Sequence, residues 1–133
     1  MRTDSKIVFV VDDDDLILRA STRILQARGY AARAFSSARE CLSAVSVQVP
    51  DCIVSDLQMP GMDGAQLIEQ LRALGVAVPV ILATAAIGPS VQLDRARRAG
   101  AYRILRKPHS IPELLDALAG LFAGKAGSEE SGT

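Results

Sequence analysis

Five short apolar runs alternate along the chain with stretches in which hydrophobic residues recur every three or four positions, and no internal repeat or low-complexity segment interrupts the series. That alternation predicts βα units wound around a parallel sheet. The first run, Ile7 to Val11, has no polar alternation, as expected of a central parallel strand covered on both faces. It stops at four consecutive aspartates, Asp12 to Asp15. Beyond them Leu16, Leu18, Ala20, Ile24 and Leu25 follow a helical spacing, and Gly29 supplies a stop. A weaker strand, Ala31 to Phe35, leads into Ser37-x-x-Glu40, the pattern of a capping box at the start of a second helix that runs to about Val45.

A third strand, Cys52 to Ser55, ends at Asp56 and enters the loop Leu57-Gln58-Met59-Pro60-Gly61-Met62, in which both methionines read as packing residues. Asp63 and Gln66 form a second cap pair, opening helix three. A fourth strand, Val80 to Ala83, delivers Thr84. The next helix runs from about Ser90 to Ala99, with Arg95, Arg97 and Arg98 read as a solvated basic face. The fifth strand, Tyr102 to Arg106, carries Arg103 and Arg106, charges that suit a sheet edge. Lys107 terminates it. Ser110 and Glu113 cap a last helix with the stripe Leu114, Leu115, Leu118 and Leu121. Residues 1–123 thus form one domain, and 124–133, rich in Gly, Ser and Glu, read as a flexible tail.

Composition narrows the partners. The 133 residues suffice for one core that buries roughly two thirds of the unfolded surface. Lys plus Arg total 15 and Asp plus Glu total 15, which removes the whole-chain basic field that supports nucleic-acid binding. No apolar run reaches membrane-spanning length, so no membrane role is expected. The polar start, Met1 to Lys6, lacks a secretory pattern, and Cys41 and Cys52 are isolated thiols; both observations point to the cytoplasm.

The informative polar residues stand where strands end: Asp12 to Asp15, Asp56, Thr84 and Lys107. In an open α/β sheet the ligand crevice lies beyond the carboxyl ends of the strands, where the winding order reverses. For a flavodoxin-like order 2-1-3-4-5 that place is between strands one and three, which carry the acids. Asp12, Asp13 and Asp56 brought together would repel one another unless a cation intervened. Mg²⁺ suits such a site, because it takes oxygen ligands and is commonly held by one or two carboxylates plus phosphate. A carboxylate in that position can attack phosphorus and form an aspartyl phosphate. Lys107 and the hydroxyl of Thr84 would then neutralise and orient the phosphoryl oxygens. Asp15 either caps helix one or joins the acidic site, and Asp14 is equally open.

With these motifs assembled, the chain from about Lys6 to Phe122 resembles the response-regulator receiver domain of two-component signalling. The resemblance rests on Val10-Val11-Asp12-Asp13-Asp14, on Asp51 to Gly64 with its Asp56-Leu57-Gln58-Met59-Pro60-Gly61-Met62-Asp63-Gly64 segment, on Pro79 to Ala85, and on Gly100-Ala101 with Lys107-Pro108. It implies a flavodoxin-like doubly wound sheet and a phosphoacceptor at Asp56. Direct Mg²⁺ ligands would be Asp13, Asp56 and the backbone carbonyl of Gln58, with Asp12 acting largely through water. It also implies a switch hydroxyl at Thr84, a phosphate partner at Lys107 and a cis Lys107-Pro108 bond, with Gln58 and Ala86 flanking the path of hydrolytic water. The donor would be a sensor histidine kinase, a phosphotransfer protein or a small phosphodonor. The output would be a changed surface on helix four, strand five and helix five, read by a downstream effector or, as an open alternative, a homodimer.

Two positions depart from the family pattern: Ile104 replaces the usual Tyr or Phe before the lysine, and His109 replaces a frequent Phe after Lys-Pro. His109, the sole histidine, reads as a partly exposed residue approaching the last helix. Other readings are a receiver that binds partners without phosphorylation, a Mg²⁺-dependent phosphohydrolase, and a nucleotide or flavin module. The second would need an acid where Gln58 stands, and the third needs glycines and amides where the loop is acidic. Whether the chain is a free-standing receiver or a piece of a longer regulator stays open.

Overall fold

In the computed structural model, residues 5–85, 88, 90–107 and 111–124 are described. Five strands alternate with five helices: β1 (Ile7–Val11), α1 (Asp15–Ala27), β2 (Ala31–Phe35), α2 (Ala38–Val45), β3 (Cys52–Asp56), α3 (Gly64–Ala73), β4 (Val80–Thr84), α4 (Val91–Ala99), β5 (Arg103–Arg106) and α5 (Ile111–Phe122). All strand pairs are parallel and the order is β2-β1-β3-β4-β5. The expected flavodoxin-like doubly wound fold is therefore the observed one, with β5 and its arginines at an edge.

Strand periodicity divides the interior into two cores. Phe9, Val11, Ile53, Val80 and Leu82 face one layer, where they meet Cys41 of α2, Leu67, Ile68 and Leu71 of α3, and Leu93 and Ala96 of α4. Val8, Val10, Cys52, Val54 and Ile81 face the other, with Leu18 and Leu25 of α1 and Leu114 and Leu118 of α5. The alternation follows from side chains pointing to opposite faces of successive strand positions. Central strands β3 and β4 are buried at every position, and their residues are apolar until Ser55 and Asp56 close β3 and Thr84 closes β4.

Local chemistry sets the helix ends. Asp63 and Gln66 make a reciprocal capping box, with Asp63 Oδ1 accepting from Gln66 N at 2.8 Å and Gln66 Oε1 accepting from Asp63 N at 2.9 Å. At α2 only half of the expected box forms. Ser37 Oγ accepts from Glu40 N, but the Glu40 carboxylate reaches back to Ser36 rather than to Ser37. The first helix is capped by Asp14, whose Oδ1 accepts from Leu16 N and Ile17 N; Asp15 lies inside the first turn and pairs with Arg19. The choice left open between cap and site is thus resolved for Asp14 as a cap, and capping by Asp15 is corrected. The expected Ser110 cap, the Lys107-Pro108 bond, His109, Ala86 and the tail beyond Gly124 lie outside the described residues.

At the pole opposite the strand ends, Arg72 of α3 gathers loose carbonyls. Its Nη1 donates to Val76 O and Val78 O, both at 2.9 Å, and its Nη2 to Gly100 O at 3.3 Å. Gly100 ends α4 in the left-handed region at φ 99°, a conformation that favours glycine.

Cys41 and Cys52 are both fully buried and free, and they face opposite cores. Burial pushes the Cys41 thiol from the ordinary 9.0 up to about 12 and raises that of Cys52 as well. Iodoacetamide at pH 8 should leave the native chain unmodified and alkylate both thiols after denaturation, as read by mass. Because the unfolded thiols ionise first, this contribution to stability is intact below pH 9 and is lost as the pH rises toward 12. Rapid alkylation of the native chain would contradict the packing described.

Candidate functional site

Strand register brings the acids together. Val11 pairs with Ser55 across β1 and β3, so Asp12 and Asp56 follow side by side at the carboxyl edge of the sheet. Asp56 in turn pairs with Ala83 of β4, placing Thr84 beyond it, and the Lys107 amide donates to Thr84 O at 2.6 Å. The four strand ends thus set Asp12, Asp56, Thr84 and Lys107 in sequence along one edge.

Asp12, Asp13 and Asp56 each offer a carboxylate oxygen, and these oxygens all lie within 4.8 Å of one another. Asp12 and Asp56 are buried while Asp13 is exposed to solvent. Lys107 Nζ stands 3.0 Å from Asp56 Oδ2 and 3.9 Å from Asp12 Oδ2. One cation among three carboxylates leaves an uncompensated negative charge. The carboxyl of Asp12 is held above its ordinary 3.8, first by burial and, to a smaller extent, by the charges of Asp56 and Asp13. The Asp14 amide, donating to Asp12 Oδ1 at 2.9 Å, and Lys107 oppose the shift. Three converging hard oxygens, two of them out of solvent, are the donor set that suits Mg²⁺.

The two oxygens of Asp56 are differently engaged. Oδ2 faces Lys107, while Oδ1 accepts a long contact of 3.4 Å from the Gln58 amide. Gln58 is exposed at the mouth of the cluster, so its loop borders the acids as expected, and Met59 and Met62 pack inward. Thr84 is fully buried at the end of β4. Ile104 is also buried, among Leu82, Leu93 and Ala96.

Sequence reasoning missed two features. Gly64 quotes no chemistry, yet its amide donates to Leu57 O at 2.8 Å, and a Cβ there would lie 2.8 Å from Asp56 O and 3.0 Å from Leu57 Cα. Only a residue without a side chain lets α3 start so close to the phosphoacceptor candidate. The second is that Arg95, read as part of a solvated face, donates from Nε to Glu69 of α3 at 3.0 Å and also bonds it through Nη2. Its one signal in the sequence was an acid at matching depth on the preceding helix.

Comparison with known proteins agrees with this geometry. The family model for the response regulator receiver domain matches residues 8–119. Nodulation protein W of Bradyrhizobium diazoefficiens is 38% identical over 112 residues, covering 84% of this chain and 49% of that protein. The DNA-binding transcriptional regulator NtrC of Escherichia coli is 39% identical over 110 residues, covering 80% of this chain and 23% of that protein. The chain therefore spans half or less of these two relatives. Among solved structures, the receiver domain of the Francisella response regulator 1452 superposes with a TM-score of 0.81 at 28% identity, over 90% of this chain and 98% of that one. Motif order, sheet order and the carboxylate edge converge on one conclusion: the chain belongs to the receiver domain family of two-component response regulators.

Proposed function

We propose that Asp56 accepts a phosphoryl group from the phosphohistidine of a sensor kinase or phosphotransfer protein, and that this changes the surface of α4, β5 and α5. The observation that carries the reading is the meeting of Asp12, Asp13 and Asp56 with Lys107 against Asp56. In the reaction an Asp56 carboxylate oxygen forms a bond to phosphorus as the P–N bond breaks, and the electron pair and a proton end on the departing imidazole. Asp13, Asp56 and the Gln58 carbonyl would hold Mg²⁺ directly and Asp12 largely through water. The ion's contribution when bound is to offset the repulsion among the carboxylates and the charge on the phosphoryl oxygens. Lys107 pairs with the incoming phosphoryl group, and the Thr84 hydroxyl orients it. Because Asp56 already touches Lys107, capture of phosphate redirects that ammonium and so pulls on the end of β5.

The domain reading is residues 1–123 as receiver and 124–133 as tail, and the cellular reading is the cytoplasm, supported by two unpaired thiols and by no described helix being long and apolar enough to cross a membrane. Downstream, the partner is an effector protein or domain, with a phosphorylation-dependent homodimer as one form of output and no direct contact of this domain with nucleic acid.

Wild type and Asp56→Asn treated with acetyl phosphate and Mg²⁺ test the assignment. Wild type should gain one phosphoryl mass that survives acid and is lost in base, and the variant should not; equal labelling would remove Asp56 from the role. Gly64→Ala should slow labelling by about tenfold, since displacing an aligned reacting group by a fraction of an ångström is costly. A rate equal to wild type would show that the loop tolerates the Cβ. Lys107→Ala should still take up Mg²⁺ yet lose most of the change in α4 and β5 amide spectra that follows phosphorylation. A full response would take the lysine out of the mechanism.

A further inference from the structure

The buried carboxylate of Asp63 serves two helices at once. Its Oδ1 caps α3 through Gln66 N at 2.8 Å, and its Oδ2 accepts from Gln92 Nε2, in the first turn of α4, at 3.0 Å. Asp63 also closes the loop that leaves Asp56, the loop that holds Gln58 and is pinned by the Gly64 amide on Leu57 O. One turn further on, Arg95 bonds Glu69. These two side-chain bonds tie α4 to α3 and to the loop end that precedes it. Toward β5, α4 presents the apolar Leu93 and Ala96, which share a core with Ile104. Aliphatic packing of this kind slides with little directional preference, whereas the bond to Asp63 has a fixed direction and a charged acceptor.

We propose that the Asp63–Gln92 bond is a latch that holds α4 in the unphosphorylated arrangement, with Gln92 as a positioning residue that reports the state of the Asp56 loop. This rests on Asp56 being the phosphoacceptor. When the loop retracts around a phosphoryl group, Asp63 keeps its cap on α3 and gives up Gln92, because the capping box ties it at both its amide and its carboxylate. Helix α4 is then freed at its first turn. Since phosphate and latch bias the same equilibrium, breaking the latch by mutation must favour the phosphorylated arrangement by the same energy.

The test measures the affinity of wild type, Gln92→Ala, Gln92→Glu and Glu69→Ala for beryllofluoride in the presence of Mg²⁺, with hydrogen exchange of the α4 amides and acetyl phosphate labelling in parallel. Gln92→Ala should bind the phosphoryl mimic about fivefold more tightly, ~1 kcal/mol, and Gln92→Glu, which sets a like charge against Asp63, at least as much. In both, the first turn of α4 should exchange faster without the mimic, as wild type does with it. Unchanged or weaker binding in variants that label normally would overturn the latch and leave the phosphoacceptor reading standing. An equal gain in Glu69→Ala would assign the effect to any loosened contact between α3 and α4 and would also overturn it. Failure of wild type to label would remove the phosphoacceptor reading and the latch with it.

Discussion

Three carboxylates whose oxygens lie within 4.8 Å of one another are the constraint around which this molecule is organised. Like charges so close repel one another, burial adds to the cost of ionising Asp12, and the single cation Lys107 faces both Asp56 and Asp12. Such an arrangement persists because the sheet leaves no alternative. Asp12 and Asp56 are continuations of buried central strands whose register is set by two cores, and a shift of either strand by one residue would turn its apolar set toward the wrong layer. Repulsion held in this way is what a bound cation would relieve.

The same edge also ties three strand ends together. Lys107 is bonded through its amide to Thr84 and through its ammonium to Asp56, so the ends of β3, β4 and β5 are mechanically joined. Where a swinging aromatic ring is usual in the family, Ile104 lies packed and buried, while Gln92 and Arg95 of α4 bond Asp63 and Glu69. Relatives such as nodulation protein W extend well beyond the region matched here.

Most of the architecture was legible in the sequence because it depends on short-range rules. Unbroken apolar runs mark central parallel strands, and Asp63-x-x-Gln66 marks a helix start; both are local and both hold. The strand-end residues were legible for a topological reason, since a doubly wound sheet sends every strand terminus to one edge. What the sequence concealed depends on long-range placement. Four adjacent aspartates look alike until the chain direction selects Asp14 as the cap and sends Asp12 inward. Gly64 acts through an atom it lacks, and the bonds of Gln92 and Arg95 span 29 and 26 positions along the chain, beyond any periodicity.

The claim that the acidic edge exists to hold a hard cation is tested most directly by titrating the protein with Mg²⁺ and following the amide resonances of Asp12, Asp13 and Asp56. Saturable shifts confined to these residues and the neighbouring loop, abolished in Asp13→Asn while the fold is retained, are the predicted result. Resonances that stay unmoved, or that drift without saturation equally in wild type and variant, would contradict it.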